Sequence, residues 1–212
     1  MQQLKRIEKS FKTLGELIDA RPDISQTSKT QLARVPTSDS SLFERIMNSH
    51  VTTIDTDDIR IIYNMQHFWN LEKGAKGKEV EKYITSAEHV KEFIFVSNKP
   101  VKFYTPKNAL WSYVTDDLHK AITFFTLDDL QFNVTKHALV PKHERITDEE
   151  EKAEIKKVLN IKSFHQIPVI YVFDPVVKAI GGQVDDLIKV TRYTGEHSGE
   201  HIVYRYCIWQ DE

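Results

Sequence analysis

Two runs of strand-forming residues, separated by a helical segment, most constrain how the N-terminal part of this 212-residue chain folds. Residues 58–65 are rich in β-branched and aromatic side chains, which favour strands. Residues 92–97 form a continuous apolar stretch, which is typical of a strand buried on both faces. Residues 78–86, between the two, place apolar side chains on one side of a helix. Strand, helix and strand in this order predict an α/β unit with a parallel strand pair.

The flanking N-terminal segments are predicted to be helices and connections. An opening helix has apolar residues at three- and four-residue spacing, namely Leu4, Ile7, Phe11, Leu14 and Ile18. It ends at Arg21, because the residue before a proline disfavours the helical conformation. The polar residues 22–41 predict an exposed connection, and a short helix is expected at 42–48. Further helices are predicted at 107–113 and 117–125.

Turn and cap signals become dense in the C-terminal part. Thr147 and Glu150 fit a capping box at the start of a helix that runs to about residue 159. We expect Ile155, Val158 and Leu159 to point inward from this helix.

A second helix start and two strands complete the C-terminal pattern. Asp174-Pro175 combines an N-cap acceptor with proline at the first helical position, and Gly181-Gly182 ends that short helix. Residues 187–193 and 202–209 read as strands, the second with alternating side chains. The predicted fold class is an α/β domain over 1–135, followed by a small α+β domain with a mixed sheet over 136–212.

Composition excludes several classes of protein. The 29 basic and 31 acidic side chains give a net charge of −2, which is not that of an obligate polycation. A single cysteine, Cys207, excludes an internal disulfide framework and a cysteine-based zinc ribbon, and we expect it to be buried and unreactive. No apolar run reaches the roughly 18 residues of a membrane span, and the first residues lack the apolar core of a secretion signal.

Two sequence features could suggest a catalytic site, but neither fits well enough to predict one. Asp55, Asp57 and Asp58 precede one strand and Glu92 begins another, which is the kind of carboxylate cluster that holds Mg²⁺ in nucleases. The acid-x-Lys pair common in such sites is absent, so a polar strand cap is the better interpretation. The loop 74–78 lacks the glycine spacing and the Ser or Thr of a phosphate loop.

Histidines supply no metal site either. His137 and His143 lie close in sequence and precede Glu144, but a structural zinc needs about four ligands, usually at tighter spacing. We therefore predict no catalytic residue, no metal and no cofactor.

The segment 99–108 is the most distinctive surface candidate. It carries Lys99, Lys102 and Lys107 together with two aromatic residues, directly after the buried strand 92–97. Loops at strand ends often present lysines and backbone N–H groups to phosphate. Thr105 and Pro106 also fit an N-cap and the first position of a helix, and both interpretations are compatible because a helix N-terminus binds anions.

The C-terminal part resembles the fifth subunit of eukaryotic RNA polymerases, which has a shorter homologue in the archaeal enzyme. The resemblance covers about 70 residues in register. Its elements are the stretch 137–143, the acidic helix 147–159, Ile167-Pro168, Asp174-Pro175-Val176, Gly181, Lys189, Arg192 and Tyr204-Arg205.

The resemblance implies an N-terminal jaw domain beside downstream DNA and a C-terminal assembly domain on the largest polymerase subunit. Other polymerase subunits and downstream double-stranded DNA would be the partners, with no membrane and no small-molecule substrate. The DNA-contact candidates are Lys99, Lys102, Thr105, Pro106, Lys107 and Asn108. The assembly-interface candidates are His137, Pro141, His143, Pro168, Asp174, Pro175, Gly181, Lys189, Arg192, Tyr204 and Arg205.

Departures from the family pattern point to a divergent lineage. Asp185 stands where the family usually has a glycine, so we expect a positive φ there, which Asp tolerates at modest cost. Lys107-Asn108 replaces Ser-Ala in the jaw loop and adds charge. The subunit would be nuclear in a eukaryote, or would belong to the cytoplasmic factory and virion of a large DNA virus. A metal-dependent nuclease fused to an assembly module, and a free-standing adaptor, are the alternatives.

Overall fold

The two apolar runs of the N-terminal part form neighbouring parallel strands, as predicted. The computed structural model describes residues 2–35, 40–49, 51–65, 77–87, 89–99, 118–193 and 199–209, in two compact units, Met1–Asn133 and Val134–Glu212. In the described residues of the first unit, the elements are α1 (Gln2–Asp19), α2 (Gln26–Ala33), α3 (Ser40–Asn48), β1 (Thr52–Asp55), β2 (Ile59–Asn64), α4 (Gly77–Thr85), β3 (Glu92–Ser97) and β4 (Ala121–Thr126).

The sheet of the first unit has the order β1-β2-β3-β4. β1 runs antiparallel to β2, whereas β2, β3 and β4 are parallel, with Ile61 opposite Ile94 and Ile94 opposite Thr123. Every residue of β3 is buried. The strand-helix-strand unit predicted from the sequence is therefore confirmed, with α4 as its helix.

Helix α1 buries the face that its apolar spacing predicts. Ile7, Phe11, Leu14 and Ile18 are all nearly inaccessible, and the Phe11 ring meets the Phe43 ring of α3 edge-on with centroids 6.1 Å apart. Each such side chain contributes roughly 1.5–3 kcal/mol on transfer from water. The predicted helix at 42–48 is confirmed as α3.

Two expectations for the first unit are wrong. The range 22–41 is not merely an exposed connection, because α2 lies in it, capped by the Ser25 side chain and anchored by buried Leu32. The range 117–125 is not a helix but ends in strand β4, whose β-branched and aromatic residues complete the parallel sheet. The helix predicted at 107–113 lies outside the described residues.

The second unit contains a mixed four-stranded sheet. Its described elements are β5 (Lys142–Ile146), α5 (Glu149–Val158), β6 (Val169–Tyr171), α6 (Pro175–Ala179), β7 (Leu187–Tyr193) and β8 (Glu200–Ile208), with 3-10 turns at Val134–Lys136 and Phe164–Gln166. The order is β5-β7-β8-β6, in which β6 runs parallel to β8 and the other pairs are antiparallel. Helices with mixed sheets agree with the predicted α+β class of this part.

Helix α5 starts one residue later than predicted and buries less. Asp148, not Thr147, is the N-cap, and its carboxylate accepts from the Glu150 N–H. Ile155 packs inward against Ile146 and Leu187, as expected. Val158 and Leu159 do not point inward, with 77% and 38% of their surface exposed, because the helix meets the apolar cluster through Ile155 and its last turn lies beyond it.

Tight backbone positions fix the segment between α6 and β7. Gly181 has φ 72° and ends α6, and a Cβ added to Gly182 would lie 2.5 Å from Cγ1 of Val177. Asp185 has φ 71°, which confirms the positive φ expected there.

Cys207 is fully buried, and burial raises the pKa of its thiol to about 12. Among the described residues no helix is long and apolar enough to cross a membrane.

Candidate functional site

The carboxylates that suggested a nuclease accept hydrogen bonds from other side chains of the protein. Asp58 is buried, and its Oδ2 accepts from the Ser25 side chain and from Ser28 Oγ at 2.9 Å, while Lys91 Nζ lies 3.1 Å from Oδ1. Hydrogen bonds from Ser25 first, and those from Lys91 and Ser28, outweigh burial and hold the pKa of Asp58 well below its usual range. Asp58 therefore ties the start of β2 to the cap of α2.

The other acidic candidates are paired separately. Arg21 donates to both oxygens of Glu92, at 2.9 and 2.6 Å, with both side chains buried. Arg60 donates to both oxygens of Asp55, at 2.7 and 2.8 Å. The Gln31 amide and Asp57 exchange two hydrogen bonds. The described residues contain no group of three His, Cys, Asp or Glu that could hold a metal ion.

Of the six DNA-contact candidates, the described residues include Lys99. Its side chain is exposed directly after β3, and its carbonyl oxygen accepts from Ser97 Oγ at 2.6 Å, which turns the chain at the end of the strand. Lys102, Thr105, Pro106, Lys107 and Asn108 lie outside the described residues.

Three assembly candidates lie where the second unit begins. His137 is exposed after the first 3-10 turn, and its Nδ1 accepts from the Leu139 N–H at 3.2 Å. His143 Nδ1 donates to the Pro141 carbonyl at 2.8 Å, at the start of β5. These contacts shape the entry to the edge strand β5.

Four candidates bracket β6 and α6. The Pro168 carbonyl accepts from Tyr206 N at 3.0 Å, and the Pro168 ring is exposed. Asp174 caps α6, where its Oδ1 accepts from Val176 N at 2.8 Å and Val177 N at 3.3 Å, with Pro175 at the first helical position. With Gly181 at the end of α6, the N-cap and stop signals predicted from the sequence are confirmed.

The remaining candidates lie on β7 and β8. Lys189 and Tyr204 are opposite each other, and Tyr204 packs against the cluster around Leu187. Arg192 is exposed towards the far end of β7. Arg205 reaches across to β6, where its Nη1 donates to the Val169 carbonyl at 3.0 Å. The structure thus brings Arg205 close to Pro168 and leaves Arg192 at the other end of the sheet.

Several features of this unit were not found from the sequence, among them the edge strand β5. Arg145 forms an ion pair with the mostly buried Asp186, with Nε 2.6 Å from Oδ2. Burial raises the pKa of Asp186, and Arg145 partly offsets this. The strand β6 was also missed, although the run from Val169 to Val172 is rich in β-branched residues after a proline.

Comparisons with known proteins agree with the resemblance. The family described as RNA polymerase Rpb5, C-terminal domain, matches residues 132–207. DNA-directed RNA polymerase subunit Rpo5 of Sulfolobus acidocaldarius is 44% identical over 78 residues, which are 37% of this chain and 89% of that subunit. Subunit Rpo5 of Archaeoglobus fulgidus is 38% identical over 79 residues, 37% of this chain and 100% of that subunit.

A plant relative is matched over a longer stretch. DNA-directed RNA polymerase V subunit 5A of Arabidopsis thaliana is 35% identical over 107 residues, 47% of this chain and 46% of that subunit. The chain therefore spans about half of this relative. Because 47% of the chain exceeds the second unit, Val134–Glu212, the matched stretch also includes residues of the first unit.

Proposed function

The chain belongs to the RNA polymerase subunit family that includes Rpb5 and Rpo5, and from that membership we propose that it is a non-catalytic subunit of a multisubunit DNA-directed RNA polymerase. In this proposal residues 136–212 dock on the largest subunit as the assembly domain. Residues 1–135 form a jaw domain that touches downstream DNA. In a eukaryotic cell such a subunit is nuclear; if a large DNA virus encodes it, the sites are the virus factory and the virion.

One observation carries the assembly role. The second unit, Val134–Glu212, nearly coincides with the family match at 132–207, and the two archaeal subunits compared above are matched over 78 and 79 residues, which are 89% and 100% of their lengths. A stretch that is nearly a whole subunit in archaea contains what a polymerase needs in order to incorporate it. We therefore assign docking to this unit.

The surface of the second unit supports docking on protein. Val158, Tyr171 and Tyr193 are large apolar side chains with 77%, 43% and 71% of their surface exposed. Among the described residues, the second unit has seven exposed large hydrophobic side chains and the first unit has one, Phe132, so we assign contact with a protein partner to the second unit.

The DNA role rests on the lysines of the segment 99–108. Lys99 is exposed at the carboxyl end of β3, and Lys102 and Lys107 follow within the same segment. Lysines that meet phosphates position a protein on a duplex without reading its sequence. The first unit would thus guide the incoming duplex.

The pairing of the acidic residues argues against the metal-dependent nuclease alternative. Asp55, Asp58 and Glu92 each accept from side chains of the protein, and such consumed carboxylates leave no shared oxygen cage for Mg²⁺ among the described residues. Incubation of the purified chain with Mg²⁺ or Mn²⁺ and plasmid DNA should leave the plasmid intact. Cleavage that an Asp58→Ala variant loses would establish the nuclease alternative.

A tagged full-length chain, purified from its source and analysed by mass spectrometry, tests the assembly role. We expect the largest polymerase subunit to copurify in equal amount. Asp174→Ala should reduce incorporation, while Asp174→Asn, which keeps an N-cap acceptor but removes the charge, separates the cap from the charge. A chain that purifies without any polymerase subunit would contradict the proposal and favour a free-standing adaptor.

A further inference from the structure

Strand β6 is an edge strand of the second sheet. Its backbone N–H and C=O groups alternate between the side that faces β8 and the outer side. It pairs with β8 alone, with Ile170 opposite Cys207. Tyr206 N donates to the Pro168 carbonyl at 3.0 Å, and Val172 N donates to the Ile208 carbonyl at 2.9 Å. In a parallel pair, residues 168, 170 and 172 therefore face β8, so the N–H and C=O groups of Val169 and Tyr171 point away from the sheet.

The outward acceptors are occupied, whereas the outward donors are open. Arg205 Nη1 donates to the Val169 carbonyl at 3.0 Å, and Asp174 N donates to the Tyr171 carbonyl at 2.9 Å. The outward N–H groups of Val169 and Tyr171 have no hydrogen-bond partner within the described part of the chain. The edge thus presents two free donors about two residues apart.

The side chains at this edge are apolar and accessible. Val169 and Tyr171 have 38% and 43% of their surface exposed, and Pro168 before them is exposed as well. The opposite edge, β5, instead carries a Lys142–Glu144 ion pair of 2.7 Å along its length. Apart from the Arg205 guanidinium at the Val169 carbonyl, this edge is apolar, and an apolar edge with open donors invites pairing because proteins usually protect sheet edges with charge.

We propose that the outward edge of β6 receives an extended segment of the largest polymerase subunit by strand addition, an inference that rests on the proposed function. The partner's carbonyl oxygens accept from the N–H groups of Val169 and Tyr171. A backbone N–H of the partner replaces the Arg205 guanidinium as the donor to the Val169 carbonyl. The guanidinium can then donate to the partner. Backbone pairing supplies the contact, while the side chains of Val169 and Tyr171 pack against the added strand.

Proline substitution tests the donors directly. Val169→Pro and Tyr171→Pro each remove one outward N–H and leave the bonds of Ile170 to β8, and edge strands tolerate proline where the N–H faces away. Val169→Ala and Tyr171→Ala are matched controls that keep the N–H. Each variant is coexpressed with a differently tagged wild-type chain, and the ratio of the two in purified polymerase is measured.

We expect each proline variant to be incorporated about three- to tenfold less than the wild type, the effect of one lost hydrogen bond, and each alanine variant to stay closer to parity than its proline counterpart. Proline variants that match their alanine controls would overturn the inference while the proposed function stands. A wild-type chain absent from the polymerase would overturn the proposed function itself.

Hydrogen exchange on the wild-type chain covers the case in which a proline variant fails to fold. In the free chain the Val169 and Tyr171 amides should exchange quickly and the Ile170 amide slowly. In assembled polymerase all three should be slow, with at least tenfold protection gained at the outward amides. Outward amides that stay fast in the polymerase would contradict strand addition.

Discussion

The two units differ in the apolar side chains that they expose. The first unit buries charged groups among its own elements, with Arg21 and Glu92 only 6% and 4% exposed and Asp58 bound to the cap of α2. Among the described residues, the exposed large hydrophobic side chains lie in the second unit except for Phe132. Both units pair their buried charges internally, since Arg145 and Asp186 do so in the second unit, and the difference among the described residues lies in the exposed apolar side chains.

The largest expected effect breaks the buried ion pair of the first unit. Removing one partner of a buried pair costs about 3–5 kcal/mol when the other charge is left uncompensated, and because Asp23 still pairs with Arg21 we expect Glu92→Gln to cost about 3 kcal/mol. Urea titration followed by circular dichroism measures the loss. The control is Asp128→Ala at the exposed Arg6–Asp128 pair, which should cost about 1 kcal/mol or less. Equal losses in the two variants would contradict the contrast between buried and exposed pairs.

The next effect concerns packing in the second unit. Gly182→Ala forces a Cβ to within 2.5 Å of Val177 Cγ1, and overpacking of this kind costs about 1–3 kcal/mol. Gly15→Ala in α1 is the matched control, because nothing lies within 4 Å of the added Cβ. It should stabilise the first unit by roughly 0.5–1 kcal/mol through helix propensity. Thermal unfolding of both variants checks the opposite signs, and a neutral Gly182→Ala would show that α6 moves freely.

The contributions of Asp58 and Asp186 to stability should change with acid in opposite directions. The pKa of Asp58 is lowered in the folded state, so its stabilisation is present above the unfolded pKa of about 3.9 and is lost as the pH falls below it. The pKa of Asp186 is raised, so its contribution is favourable at low pH and declines as the pH rises from about 3.9 through the folded value.

Unfolding followed between about pH 2 and pH 6 for Asp58→Asn and Asp186→Asn separates the two groups. Asp58→Asn should flatten the loss of stability in acid. Asp186→Asn should remove a decline towards neutral pH. The same pH dependence in both variants would contradict the assigned environments.

The smallest effect tests the DNA role of the first unit. With two to four phosphate contacts, the plot of log affinity against log salt should have a slope of about −2 to −4, and Lys107→Ala should reduce its magnitude by about 0.9. Lys12→Ala on the exposed face of α1 is the control and should leave the slope unchanged. Fluorescence anisotropy with a labelled duplex gives the slopes. An unchanged slope for Lys107→Ala would remove Lys107 from the contacts.

Sequence patterns predicted the elements whose signals are local. The spacing of α1, the apolar run of β3 and the Asp174-Pro175 start of α6 all depend on neighbouring residues, and each is confirmed. The positive φ at Asp185 followed from the family pattern and is confirmed as well.

Features that depend on distant residues were missed. Strand β4 contains residues that were expected to form a helix, because its place beside β3 is decided by sheet pairing and not by its own periodicity. Strand β6 has three residues, too few for a period to show. Arg21 and Glu92 are 71 positions apart, so no sequence spacing predicts their pairing. The outer edge of β6 could not be predicted either, because only the order of the strands in the sheet shows that β6 is an edge strand.

The most direct test of docking by the second unit and DNA contact by the first is cross-linking mass spectrometry on polymerase purified by a tag on the full-length chain. Lysine cross-links from the largest subunit should concentrate on the second unit, at exposed positions such as Lys142, Lys157 and Lys162. Lys99 and Lys102 should instead be cross-linked to DNA when a downstream duplex is bound. Cross-links from the largest subunit that fall on the first unit alone would contradict the account.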